Sequence, residues 1–320
     1  DRVCTKIADI DYQRLALYSG NYTFWYQTSQ MALKQRESAN KKKEEQIKEL
    51  KAFIERFSAN ASKSKQATSR RSMLDKITLD DIKPSSRKYP YIVFKTERTL
   101  GRQVLTVENL TLSLDGQYLF KDLSFSVGKG EHVALCGDDV AVSALISVLA
   151  GEREPDSGQV SWGHSVNLGY FPKENDTFFD TDLPILAWLK QYTDSADETF
   201  IRSFLGRMLF SGDDVHKSAT VLSGGEKVRC MLAKVMLQDP NVLLLDGPTN
   251  HLDLESITAL NNGLLKFEGA MLFASHDLQF VDSLADRVIE LDGDRVFDLN
   301  VNYQDYLADE ARKVRRGIAL

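Results

Sequence analysis

Residues 27–58 run without glycine or proline, and Ile47, Leu50, Ile54 and Phe57 recur three and four positions apart among charged neighbours. A narrow apolar stripe at that spacing predicts one long helix with a single buried edge. A second helical run is expected over roughly 72–82, with Met73, Leu74, Ile77 and Leu79 as its apolar residues. Pro84 and Pro90 end it, because proline cannot continue a helix. The stretch between, SANASKSKQATSRRS, is polar and reads as the tip of an antiparallel helical hairpin. From about residue 104 the period drops to two. LTVENLTLSL and LFKDLSFSV alternate as strands around DGQ, and GKGEHVALCG adds a turn and another strand. Short aliphatic runs such as NVLLLD and AMLFAS then alternate with helical stretches, an α/β layout.

The two ends of the chain repeat one another. VCTKIADIDYQRLALYSGNYTFW (3–25) lies over LADRVIELDGDRVFDLNVNYQDY (284–306) at a constant offset of 281. Ile7 falls on Val288, Ile10 on Leu291, Asp11 on Asp292, Arg14 on Arg295, Asn21 on Asn302 and Tyr22 on Tyr303. We therefore expect residues 1–26 to be the tail of a preceding copy of one domain and 27–95 a basic helical hairpin. Residues 104–306 are then a second copy, and 307–320 a short basic tail.

Charge sharpens this division. The chain carries a net −6, yet between Lys34 and Lys88 it holds sixteen Lys and Arg against eight Asp and Glu. A basic element on an acidic body points to an anionic partner, although a solvated helix face gives the same count. An apolar fraction of 42% is enough to bury a core. No run approaches the ~20 apolar residues of a membrane-spanning helix, and the three cysteines are scattered. A reduced, cytoplasmic setting without a membrane is expected.

The chemistry gathers in an ordered set of motifs. LSGGE places Ser223, Gly224, Gly225 and Glu226 at a helix start, where bare N–H groups and the helix dipole favour a phosphate. A Gly-rich turn alone would carry little weight. Here Asp246 follows Glu226 by twenty residues at the end of NVLLLD, then come PTNHLD and ASHD. Together these resemble the ATP-binding cassette superfamily across residues 104–300. LSGGE looks like its signature motif, NVLLLD its Walker B strand, NHLD its D-loop and His276 its switch histidine. The form PTNHLDLES, with a helical hairpin and no membrane segment, resembles the ABC-F family, and ERFSANASKSKQATSR its YbiT-like branch.

That resemblance implies a RecA-like P-loop core with an antiparallel β subdomain and a helical subdomain, preceded by the hairpin. It implies ATP and Mg²⁺ as ligands, with Ser143 and Asp246 toward the metal and His276 catalytic. It also implies a first cassette in the same chain, and a ribosome whose peptidyl-tRNA the hairpin touches. On that reading Arg56, Lys63, Lys65, Arg70 and Arg71 contact RNA, through phosphates and shape.

Several nucleotide contacts depart from the family pattern. A P-loop reads G-x-x-x-x-G-K-[ST], whereas the stretch from Gly137 is GDDVAVSALISVLAG. Aligned without a gap, Ser143 replaces the lysine. With one residue deleted, Val142 replaces it and Ser143 keeps the hydroxyl role, the alignment we favour. Lys173 stands at the Q-loop glutamine position, either supplying the missing charge or serving as an ordinary surface lysine. Leu114, with Tyr118 a poor substitute, stands near the adenine-stacking position. Gly247 holds the place of the catalytic glutamate, and a positioned base is worth ~10²–10⁴ in rate. The chain alone is expected to be inactive or very slow. Its intact signature would complete the preceding cassette's site, while Gly137, Val142, Ser143 and Lys173 belong to a degenerate one. The rival readings are a transporter's ATP-binding subunit and a nucleotide-free scaffold.

Overall fold

The structure is a computed structural model and describes residues 3–11, 14–57, 64–74, 87–96, 98–193, 197–293 and 295–309. The chain divides into two compact units, Asp1–Lys88 and Tyr89–Leu320.

In the first unit, β1 (Lys6–Asp11) and β2 (Arg14–Ser19) form an antiparallel hairpin. The helix α1 (Tyr22–Phe57) follows, and α2 (Ser64–Leu74) lies against it. Asn21 starts α1, its Oδ1 accepting the Phe24 N–H at 2.9 Å. The helix runs unbroken through residue 27, so no structural boundary falls between the expected tail and the hairpin. Trp25 is buried, edge-on to Tyr18 and beneath the Arg87 guanidinium, which also pairs with Asp9.

The second helix corrects the sequence reading. Its described part is Ser64–Leu74, so it starts well before residue 72 and most of the stretch read as a polar tip is helical. Apolar periodicity could not reveal this earlier start. Lys65, Gln66, Ala67, Arg70 and Arg71 are good helix formers that carry no stripe. Ile77 and Leu79 lie outside the described residues.

The second unit opens with two long strands, β3 (Gln103–Leu114) and β4 (Gln117–Gly128). Then come β5 (His132–Gly137), α3 (Asp139–Leu149), β6 (Ser157–Trp162) and β7 (Leu168–Phe171). The helices α4 (Ile185–Lys190), α5 (Glu198–Arg207) and α6 (Gly224–Leu237) form the middle. The chain continues through β8 (Val242–Asp246), α7 (Leu254–Leu264), β9 (Ala270–Ala274) and α8 (Leu278–Leu284). It closes with β10 (Arg287–Asp292), β11 (Arg295–Leu299) and α9 (Tyr303–Ala308).

Strands β4-β3-β6 make an antiparallel sheet, and β11-β10-β5-β9-β8-β7 a second sheet that is parallel except at β11. The parallel strands are buried on both faces, which explains their near-continuous aliphatic runs. Along β8, Leu243 and Leu245 enter one core cluster while Val242 and Leu244 enter the other. The second cluster is completed by α3 and the antiparallel sheet. The segment before Gln103 belongs to this unit too. Ile92 and Phe94 are buried, and the Tyr91 N–H donates to the Arg207 carbonyl at 2.8 Å. The expected linker therefore ends some residues before 95.

Candidate functional site

In a phosphate-binding loop, glycine-rich backbone separates a strand from a helix. Here β5 ends at Gly137 and α3 begins at Asp139, so one residue intervenes. Gly137 has φ +126°, and a Cβ there would collide with the Leu291 carbonyl oxygen of β10. Asp138 is an ordinary helix N-cap. Its Oδ1 accepts from the N–H groups of Val140 and Ala141, each at 3.0 Å, and its carbonyl accepts from Val142 at 2.9 Å. Donors that a bare helix start would turn toward an anion are thus taken by the chain's own carboxylate. Val142 is buried and apolar, and brings no charge.

Around this helix start lies a cavity of about 200 Å³ lined by Gly137, Asp139, Val142, Ser143, Lys173, Asp246, Gly247, Asn250 and His276, among others. A second, of about 410 Å³, shares Asp139, Ser143, Lys173 and Asp246 and adds Arg153 and Tyr170. The parallel sheet brings these together, because β5, β7, β8 and β9 all end at the same edge. Burial raises the Asp246 carboxyl above its ordinary range; the Ser143 hydroxyl, Lys173 and His276 pull it back in part. Ser143 Oγ is itself buried and completes no hydrogen bond of regular geometry. A buried, under-used hydroxyl facing a buried carboxylate suits a hard cation, and Mg²⁺ takes few protein oxygens.

Charge above this pair is arranged differently from a phosphate site. Lys173 Nζ donates to Asp139 Oδ2 at 3.3 Å, and His276 Nε2 lies 3.0 Å from the same oxygen. Gly247 has φ +60°, and a Cβ there would come within 2.6 Å of Asn250 Nδ2. Asp139 and Asn250 are the site residues that sequence reasoning left unassigned. Asp139 stood in the quoted P-loop stretch, and Asn250 in the NHLD motif. Leu114 and Tyr118 are both exposed near the β3–β4 turn.

The signature residues lie elsewhere; none lines either cavity. Ser223 caps α6 in a complete capping box, donating N–H and O–H to Glu226 Oε2 at 2.9 and 2.8 Å. Burial pushes the Glu226 carboxyl up, but the Ser223 donors and the Lys217 ammonium outweigh it and hold the group low. The N–H groups of Gly224 and Gly225 take no part in the helix ladder. Gly225 is required by packing, since a Cβ would stand 2.9 Å from the His251 carbonyl oxygen.

In the first unit, Arg56 falls in α1 and Lys65, Arg70 and Arg71 in α2, with Arg70 and Arg71 exposed. Lys63 lies outside the described residues. The internal repeat has a structural counterpart. Ile7 pairs with Tyr18 as Val288 does with Leu299, and Asp11 with Arg14 as Asp292 does with Arg295, so both hairpins share one register. Asn302 caps α9 as Asn21 caps α1, accepting the Asp305 N–H at 2.9 Å. The likeness is thus a hairpin followed by a capped helix, twice.

Residues 120–250 match a family described as ABC transporter, and residues 8–94 match a second family of the same description. The chain is 55% identical over 319 residues to "Uncharacterized ABC transporter ATP-binding protein YkpA" of Bacillus subtilis (strain 168), covering 98% of this chain and 59% of that protein. It is 46% identical over 307 residues to "Probable ATP-binding protein YbiT" of Escherichia coli O157:H7, covering 95% and 58%. With "ABC transporter F family member 5" of Arabidopsis thaliana the figures are 30% over 311 residues, 96% and 45%. The chain therefore spans less than two thirds of the length of these relatives. Among solved structures, a dimeric post-hydrolysis state of the ATP-binding cassette MJ0796 bound to ADP and Pi superposes with a TM-score of 0.50. It shows 18% identity, with 61% of this chain and 98% of that one covered, and so bears on the fold alone. The strand order, the signature helix and these matches together establish that the chain belongs to the ATP-binding cassette family.

Proposed function

We propose that the chain is the inter-cassette hairpin and second cassette of an ABC-F type protein, working in the cytoplasm on the ribosome. The observation that carries this reading is an asymmetry. The signature helix keeps a complete cap and two glycine N–H groups outside the helix ladder, while the connection from β5 to α3 is a single capping residue. Cassettes of this superfamily act as head-to-tail pairs, so an intact signature serves the partner's nucleotide. The residues present do not fit a triphosphate at this cassette's own site, although Ser143 and Asp246 fit Mg²⁺. No hydrolytic step is therefore assigned here.

The N-terminal hairpin supports a missing cassette. Ile10 is 71% exposed, whereas its counterpart Leu291 is 1% exposed against β5 and its neighbours. Among the described residues β1 pairs only with β2, so its other edge awaits a strand. Arg70 and Arg71, exposed on α2, supply phosphate contacts for tRNA or ribosomal RNA. No described helix is long and apolar enough to cross a membrane.

Titrating a fluorescent ATP analogue and measuring phosphate release, with the chain alone and with a first cassette supplied, tests this reading. Alone it should neither bind nor turn over measurably. When paired it should bind one nucleotide, and Ser223→Ala should weaken that binding. Turnover by the isolated chain within tenfold of an ordinary cassette would overturn it. Pairing that yields no binding would leave a nucleotide-free scaffold. Arg70→Glu with Arg71→Glu should weaken ribosome association and flatten its salt dependence by up to about two phosphate contacts. Unchanged binding would remove RNA from the hairpin's role.

A further inference from the structure

We propose that Asp139 is the resident ligand of this cassette's own site, its carboxylate standing in for a terminal phosphate and tying Lys173 to His276 without nucleotide. The proposal rests on the reading that this site no longer takes a triphosphate, and it says what occupies the place instead.

Lys173 follows β7 and His276 follows β9, more than a hundred residues apart, and both line the cavity at the start of α3. Here a single oxygen, Asp139 Oδ2, receives both, at 3.3 and 3.0 Å. The one-residue connection between β5 and α3 makes this possible. A full phosphate loop would move the first helical residue away, whereas here it starts within reach of both Lys173 and His276. Asp138 closes the helix end below, and Asp246 adds a further carboxylate to the same cavity. An incoming phosphate thus meets carboxylates where it needs donors. The pairs are individually weak because all three side chains are partly exposed. Their strength is that the carboxylate is tethered, so its effective concentration is on the order of millimolar or above. A free anion must exceed that to compete.

Asp139→Ala in the 320-residue chain, compared with wild type by hydrogen exchange in the absence of nucleotide, is the test. Amides over 171–175 and 274–278 should exchange about two- to fivefold faster in the variant, the range expected for weak exposed pairs. The global unfolding midpoint should stay the same. A Lys173→Ala, His276→Ala double variant should loosen the same segments, and adding Asp139→Ala to it should change nothing further. Unchanged exchange at both segments, or fully additive effects, would overturn the proposal. Tight binding of an ATP analogue by the wild-type chain would instead overturn the degenerate-site reading, so the two failures are distinct.

Discussion

Replacing Gly247 by glutamate puts a carboxylate where the resemblance to ATP-binding cassettes places a catalytic base, and the local backbone opposes it. Gly247 sits at φ +60° directly after β8. Its N–H donates to the Ala274 carbonyl at 2.9 Å, and its carbonyl accepts from the Asn250 N–H at 3.0 Å. Both bonds hold the left-handed conformation in place. An L-residue forced there costs about 1–2 kcal/mol. The new Cβ would also stand 2.6 Å from Asn250 Nδ2, so that amide must swing away. For a domain of this size the loss corresponds to roughly 2–8 °C in Tm. The possible gain, ~10²–10⁴ in rate from a positioned base, exists only where a γ-phosphate is bound. Thermal unfolding and phosphate release of Gly247→Glu, with Gly247→Ala as the control for backbone cost alone, give the readout. Both variants should lose stability alike, and release should remain at background. A glutamate variant as stable as wild type and releasing phosphate a hundredfold faster would refute the reasoning.

Three further outcomes follow from the packing and the caps. Leu244→Ala deletes a fully buried side chain between the parallel sheet and α3. It should cost about 2–5 kcal/mol in a denaturant melt. Asn302→Ala removes the cap of α9 and should cost about 1 kcal/mol. Glu226 is held below its ordinary 4.5, so its stabilisation is whole above that value and drains away as pH falls through the lowered folded one. Glu226→Gln should therefore destabilise by about 1 kcal/mol at pH 7, and its melting curve should converge on wild type in acid.

Much of the cassette was legible because its signals are local. The aliphatic runs NVLLLD and AMLFAS are strands buried on both faces, and Ser223 with Glu226 is a capping box that three-residue spacing announces. The repeated Asn and Tyr of the two ends also made physical sense once seen, as a helix cap and its first residue. The start of the second hairpin helix was not legible because Ser64–Leu74 carries helix propensity without an apolar stripe. The segment around Ile92 and Phe94 was misassigned to the linker because its partners, Phe267 and Met236, lie far along the chain.

The phosphate site shows what spacing alone cannot give. The sequence showed a missing lysine, and a missing charge suggests weakened binding. The structure adds a second difference from a phosphate site. Asp138 takes up the N–H groups of Val140 and Ala141, and Asp139 takes up Lys173 and His276. Putting lysine at Val142 would add one charge to a site whose donors are already occupied and whose loop lacks the length to wrap a phosphate. If this site takes no triphosphate, as proposed, nucleotide binding needs a longer loop and its glycines together, with Asp139 removed. Val142→Lys alone should leave analogue binding undetectable by fluorescence titration, while a full Gly-rich loop of native length ending in Lys-Ser should recover it. Recovery by the single lysine would mean that charge, and not loop length, limits binding there.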